Sequence, residues 1–281
     1  MSASGTADAI ERRDLHFDLD DCDMNRWHGA GPHVTQFYNA LSILFPEGEK
    51  FFMDSVRHFR DRISSPGLQE QVRGFIGQEA MHSREHIAYN KALRDAGLPV
   101  EKLEAGVKQR LRLGRKLFSP ESQLAITIAL EHFTAIMADS LLSDRRTLEG
   151  SDPKMSSLWR WHAIEETEHK AVAFDVYREQ VGTGAGAYVR RVLLMLHVSI
   201  HFWFEVIRNH VHLARGAGVA GDLKGWLSVP RYLFVSPGPL RRVLGQYLAY
   251  YRPGFHPWER DNRDFVEQWK SHYASTGQPP A

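Results

Sequence analysis

Apolar residues recur in this chain at three- and four-residue intervals and almost nowhere in strict alternation, a periodicity that predicts helices rather than strands. The helix starts are marked. Ser65-Pro66, Ser119-Pro120-Glu121 and Asp152-Pro153 each set a capping side chain before a proline, whose missing N–H is harmless at the first helical position. Phe45-Pro46-Glu47 places a proline similarly, and Gly97 and Gly182 read as helix stops. The expectation is helices over about 46–63, 66–96, 101–117, 120–144, 153–181 and 186–214. Shorter helical pieces follow near 222–250, then an extended or turn-like stretch over Tyr251–Asn262 and an amphipathic helix over Arg263–Tyr273.

The expected fold class is therefore all-α, a four-helix bundle with additional C-terminal helices. Residues 1–27 read as a polar N-terminal arm, mobile up to about Trp27. Residues 28–182 form the bundle, and 183–281 a C-terminal helical extension packing on it.

Charged groups interrupt the apolar faces where a core is expected. The stretch WRWHAIEETEHKAV, residues 159–172, sets three glutamates and two histidines among tryptophans, alanines and a valine. Glu166 and His169 lie three apart, so they share a helical face, and Glu79 and His82 repeat the spacing on the helix over 66–96. Each of these helices follows one that carries its own glutamate, Glu131 after the run LAITIAL and Glu49 beside Phe51, Phe52 and Val56. The two halves thus look like a loose duplication.

Glu-x-x-His alone is weak evidence. The ordered set Glu49, Glu79/His82, Glu131, Glu166/His169 carries the argument, because four helices would bring four carboxylates and two imidazoles to one centre. Two divalent cations would balance the four negative charges and offset their desolvation. Glu47 is the alternative to Glu49; the two cannot share a face, and Glu49 aligns with Phe52, Val56 and Phe59. His162, four before Glu166, is read as a ligand, a hydrogen-bonded neighbour of one, or a core histidine. His86 reads mainly as a neighbour of a ligand, and Asp139 as a candidate for orienting a ligand histidine. Glu165, Glu168 and His132 lie off the stripe and are expected on a solvated or inter-helix polar face.

With those residues in place, 46–181 resembles the ferritin-like dimetal-carboxylate superfamily. The longer form His162-x3-Glu166-x2-His169 is similar to the arylamine N-oxygenase branch, which implies a third histidine ligand. The phrases FPEGEKFF, QEAMHSREH and RPGFHPW resemble bacterial proteins labelled "predicted metal-dependent hydrolase". The region from 186 onward has no counterpart in ferritins, which argues against simple iron storage. The expected metal ligands are Glu49, Glu79, His82, Glu131, His162, Glu166 and His169.

A carboxylate-rich site with only imidazole nitrogen suits two Fe, Mn or mixed Fe/Mn ions better than Zn. The leading expectation is an O2-dependent oxidase or oxygenase of a small or lipid-like substrate, with an external electron donor as a compatible partner, behind apolar walls that include Phe75, Ile128, Trp159 and Trp161. The alternatives are a hydrolase in which two metals activate water, with Glu165 as a base, and a non-catalytic metal-binding or storage protein. Tyr89 is the tyrosine nearest the motifs, although no residue stands out as a radical site.

Bulk properties narrow the rest. Net charge is +1 over 281 residues, so no global field attracts nucleic acid. A single cysteine, Cys22, excludes an intramolecular disulfide and a Cys-rich metal site and fits a reducing, cytoplasmic setting. The N-terminus has no apolar run of the secretory kind. The longest apolar stretch, Val192–Ile207, carries His197, His201 and Glu205 and is expected to be a buried helix. The alternative is peripheral membrane contact through 190–207, or the lining of a lipid-like substrate channel. His197, His201, Glu205 and His212 could make a second metal site, but hydrogen-bonded packing is preferred. A homodimer is compatible with the pattern.

Overall fold

A computed structural model describes residues 10–280, and among these the chain is helical without strands. The helices are α1 (Pro32–Ser42), α2 (Phe45–Arg57), α3 (Pro66–Asp95), α4 (Val100–Leu117), α5 (Pro120–Ser143), α6 (Pro153–His169), α7 (Val172–Gln180), α8 (Ala185–Gly216), α9 (Leu223–Phe234), α10 (Pro239–Ala249) and α11 (Arg263–Thr276). The marked starts behave as expected. Ser65 and Ser119 accept from the backbone N–H three residues on, and Asp152 from those of Lys154 and Met155.

Two helix pairs make the bundle. α2 packs on α3 and α5 on α6, and the pairs meet through α2–α5 and α3–α6. α5 is apolar and long enough to cross a membrane by length and composition, but 89% of its apolar window is buried inside the protein. It is the central core helix: α6 and α7 cover one side, and α8 and α10 the others. α4 closes the α2–α3 side, α9 packs on α1 and α10, and α11 packs on α6.

Three elements differ from expectation. α1 was not anticipated, because its inner face carries His33, Gln36, Asn39 and Ser42, all buried, and so lacks an apolar period. Asn39 shows what holds it: it donates to Met24 O at 2.9 Å and accepts from Trp27 Nε1 at 3.1 Å and Tyr89 Oη at 2.7 Å. The helix expected over 46–63 stops at Arg57 and continues as a 3-10 turn, Arg60–Arg62. The helix expected over 153–181 breaks after His169 into α6 and α7. No glycine or proline marks that break. The Lys170 ammonium there is pulled to Arg260 O at 2.7 Å and Asn262 Oδ1 at 2.6 Å, contacts that join the bundle to the C-terminal tail.

The polar arm was expected to be mobile as far as Trp27. Its first nine residues lie outside the described ones, but from residue 10 it lies against the bundle. Leu19, Met24 and Trp27 are buried, and Phe17 N donates to Glu85 Oε2 at 2.9 Å. Arg13 reaches Glu165 at 3.1 Å and forks onto Glu168 at 2.6 and 2.7 Å. Burial opposes its charge, but Glu168 and Glu165 outweigh burial and hold the guanidinium pKa above its ordinary value. Arg13→Met leaves buried Glu165 without its arginine and Glu168 with Lys270 alone, 3.2 Å away. We expect a loss of about 3–5 kcal/mol in urea unfolding; an unchanged midpoint would show that the arm does not anchor there.

Candidate metal centre

Glu49 on α2, Glu79 and His82 on α3, Glu131 on α5, and His162, Glu166 and His169 on α6 all point into one space between the two helix pairs, and all are buried. The donor atoms of His82, His162 and Glu166 lie within 4.8 Å of one another, as do those of Glu49, Glu79 and His82, and those of Glu79, Glu166 and His169. Glu49, His86 and His162 form a fourth such group. Glu131 joins through His169, whose Nε2 stands 3.7 Å from Glu131 Oε2, 3.2 Å from Glu79 Oε1 and 3.5 Å from Glu166 Oε2. Of the pair Glu47 and Glu49, Glu49 is the one fully buried; Ser83 Oγ donates to its Oε2 at 2.7 Å.

The surrounding hydrogen bonds fix which ring nitrogens face inward. Gln78 Nε2 donates to Glu11 O and Glu168 Oε2, so its Oε1 accepts from His169 Nδ1 at 2.9 Å. His169 therefore turns Nε2 toward the three carboxylates. Asn90 Nδ2 donates to Ser42 O and Glu104 Oε1, which leaves Asn90 Oδ1 to accept from Ser42 Oγ at 2.8 Å. Ser42 has then used its only proton, so it accepts from His86 Nδ1 at 2.9 Å. His86 Nε2 in turn accepts from His162 Nδ1 at 2.7 Å, and His162 Nε2 faces Glu166 Oε1 at 2.9 Å. His82 stacks on His162 at 4.1 Å and sets Nε2 3.1 Å from Glu165 Oε2 and Nδ1 3.6 Å from Glu166 Oε1.

The orienting groups are not the expected one. Asp139 lies elsewhere, bound to Gln246 and Asn262 in contact with the tail, so it does not orient a centre histidine. Glu165, expected on a polar face, is wholly buried between Arg13 and His82, and Gln78 takes the corresponding place behind His169. Neither shows a sequence signal of its own: each sits one residue before a motif glutamate, about 100° around the helix from the inward stripe. His132, also off the stripe, bonds Gln246 O at 3.1 Å. On α8, His201 bonds the backbone of His197 and Glu205 pairs with Arg110, which fits packing rather than a second metal site.

Burial and neighbouring charge push the groups of this cluster in different directions. Burial, then Glu79, pushes the Glu49 carboxyl up, and the same two causes push Glu131 up well beyond its ordinary value. Burial raises Glu79 against the pull of His169. Burial would also raise Glu166, but His169 and His162 outweigh it and hold that carboxyl well below its ordinary range. His169 is the mirror case: burial opposes its charge, and Glu166 and Glu79 raise its pKa well above the usual value. Burial drives His82 and His86 down.

The fit to a metal rests on atoms left over. Both oxygens of Glu79 and of Glu131, Glu49 Oε1, Glu166 Oε2, Nδ1 of His82 and Nε2 of His169 are buried without a hydrogen-bond partner. They converge on one space, and they are hard oxygen and imidazole donors of the kind divalent first-row metals take.

An all-helical bundle enclosing such a cage defines a candidate metal-dependent protein. The chain belongs to the family described as "Predicted metal-dependent hydrolase", whose model matches residues 11–261. No curated protein and no solved structure matches it.

A cation entering this cage would displace protons from Glu49, Glu79, Glu131 and His169, whose pKa values are all raised. We therefore expect net proton release on Mn(II) or Zn(II) addition, and affinity that climbs as pH rises above the usual carboxylate range. Titration calorimetry in buffers of different ionisation enthalpy measures both. The same shifts make the metal-free fold bind these protons more tightly than the unfolded chain does. Their contribution to stability is thus complete below the unfolded pKa values and is lost as pH rises through the folded ones. Metal uptake without proton release would contradict this account.

Proposed function

We propose that the chain is a dinuclear metal-dependent hydrolase. In this reading Glu49, Glu79, His82, Glu131, His162, Glu166 and His169 hold two divalent cations. One observation carries it: partnerless carboxylate oxygens and ring nitrogens of four helices converge in one buried space. Bound there, two cations would supply Lewis-acid activation of water and of the scissile group.

The chain's own residues do the rest. His162 and Glu166 line a pocket of about 70 Å3 together with Phe37, Tyr38, Leu41, Phe45, Trp159 and Leu233. Those walls seat an apolar body and keep bulk water from the centre. Tyr232 donates to Thr147 O at 2.7 Å and accepts from Tyr38 at 2.8 Å, so both phenol protons are already bound and neither polarises a substrate. Glu165, raised to about 8 by burial against the pull of Arg13, stands behind His82 and does not line the pocket. It orients the imidazole and is not the base.

A second reading has a specific observation behind it. The donors are four carboxylates with imidazole and no sulfur, a set that suits Fe or Mn and therefore O2-dependent oxidation. The family description favours hydrolysis.

The two separate in one experiment. The metal-free protein is loaded anaerobically with Fe(II), Mn(II) or Zn(II), then given apolar esters and, separately, air. The hydrolase reading expects metal-dependent ester cleavage without O2 uptake; O2 uptake with near-ultraviolet oxo-bridge absorption and no cleavage would replace it with the oxidase reading.

Ligand substitutions test the assignment itself. Glu131→Ala and His169→Ala are expected to lose most bound metal by elemental analysis. Glu165→Gln and Gln78→Ala, which only orient, should weaken affinity by about 10–100-fold. Full metal content in both alanine variants would sink the ligand set.

A further inference from the structure

The stretch Val192–Ile207 is not the buried helix expected: among the described residues, one face of α8 has no partner. Val189, Leu193, Leu196, Ile200, Phe204 and Ile207 recur at steps of three and four, and each is between 48% and 70% exposed. By helix rise the stripe is about 27 Å long. It is continued by exposed Leu113 and Leu117 on α4 and Leu244 and Leu248 on α10, the helix tied to α8 through Ser199 and Tyr247. An apolar surface of this extent marks an interaction site.

A groove opens beside that stripe. It lies between α4 and α8, has a volume of about 370 Å3, and is lined at its mouth by Leu113, Leu117 and His201. Its inner end is formed by Phe45 and Thr134, and these two side chains also line the pocket that holds His162 and Glu166. A long apolar chain laid in the groove therefore ends one side chain away from the candidate centre.

The charge around this face decides what covers it. Between Gly106 and Ser119, α4 carries Lys108, Arg110, Arg112, Arg115 and Lys116 and no acidic residue. α10 carries Arg241 and Arg242 and no acidic residue, and the single acid of α8, Glu205, is already paired with Arg110. Lys108, Arg112, Lys116 and Arg241 are exposed. A second copy would bring two positive rims together, whereas an anionic lipid surface meets both the apolar stripe and its basic border.

We propose that the α8 face docks on an anionic membrane and that the α4–α8 groove takes up the acyl chain of an amphiphile from it, bringing the inner end of that chain to the wall of the pocket beside the centre. That this amphiphile is a substrate rests on the metal-centre reading; docking and uptake do not.

The test uses the full chain and reads binding, not turnover. Sedimentation with phosphatidylcholine vesicles containing phosphatidylglycerol should carry the protein down, less so without the anionic lipid or in high salt. Leu193→Glu and Ile200→Glu, both exposed, should each weaken this by about tenfold or more with an unchanged thermal melt. Gly114 lines the groove, and a Cβ there meets nothing within 4 Å, so Gly114→Phe fills the groove without disturbing the fold. It should abolish binding of a fluorescent fatty acid while vesicle binding persists. Three results overturn the proposal: no sedimentation with anionic vesicles, a dimer by light scattering that Ile200→Glu splits, or fatty-acid binding untouched by Gly114→Phe. Metal content is measured on the same samples, so failure here leaves the centre to be judged separately.

Discussion

Four buried glutamates share one space, and the ion-pair partners of Glu79, Glu131 and Glu166 there are histidines. An ionised carboxylate moved out of water must find a counter-charge or take up a proton. The bare cage does the second where it can, which is why Glu49 and Glu131 are pushed up while Glu166, next to His169 and His162, stays down. A cation does the first. Apolar side chains in these positions would pack the bundle with no such conflict, so the cage is a departure from core logic at one place, of the kind expected at a functional site.

Around it the protein supplies orientation. His169 is held by Gln78, His162 by the chain Glu104–Asn90–Ser42–His86, and His82 by Glu165 backed by Arg13. Each of these begins at a helix end or at the N-terminal arm and terminates on an inward imidazole. The arm and α1 are thus part of the centre's construction although neither contributes one of the seven inward donors. The break between α6 and α7 comes directly after His169, where Lys170 is drawn to the tail, so the last inward imidazole sits at a helix end fixed from outside the bundle.

This separates what the sequence made legible from what it did not. Regular spacing on long helices was readable: the stripe of Glu79 and His82 on α3, that of His162, Glu166 and His169 on α6, and Glu49 over Glu47 all follow from the helical period, and the structure turns these side chains inward. Proline-led caps gave the starts of α3, α5 and α6 to the residue. Contacts distant in sequence left no such trace. Glu165 and Arg13 are 152 residues apart, and α1 hides its helical period because its buried face is polar. Polar residues that satisfy one another look, in one dimension, like surface.

Phe45 joins the outer parts of the molecule to the inner. Its ring lies 4.6 Å from His86 and 4.7 Å from His162, and the same side chain ends the α4–α8 groove and lines the inner pocket. The residue that separates groove from pocket is therefore also the apolar wall of the imidazole pair. Low polarity on that side strengthens the hydrogen bond between the two rings and penalises any water that would compete for His162 Nδ1. A ring moved aside to admit a ligand would loosen both effects at once, so filling the pocket and setting the orientation of His162 depend on the same few ångströms of packing at the start of α2.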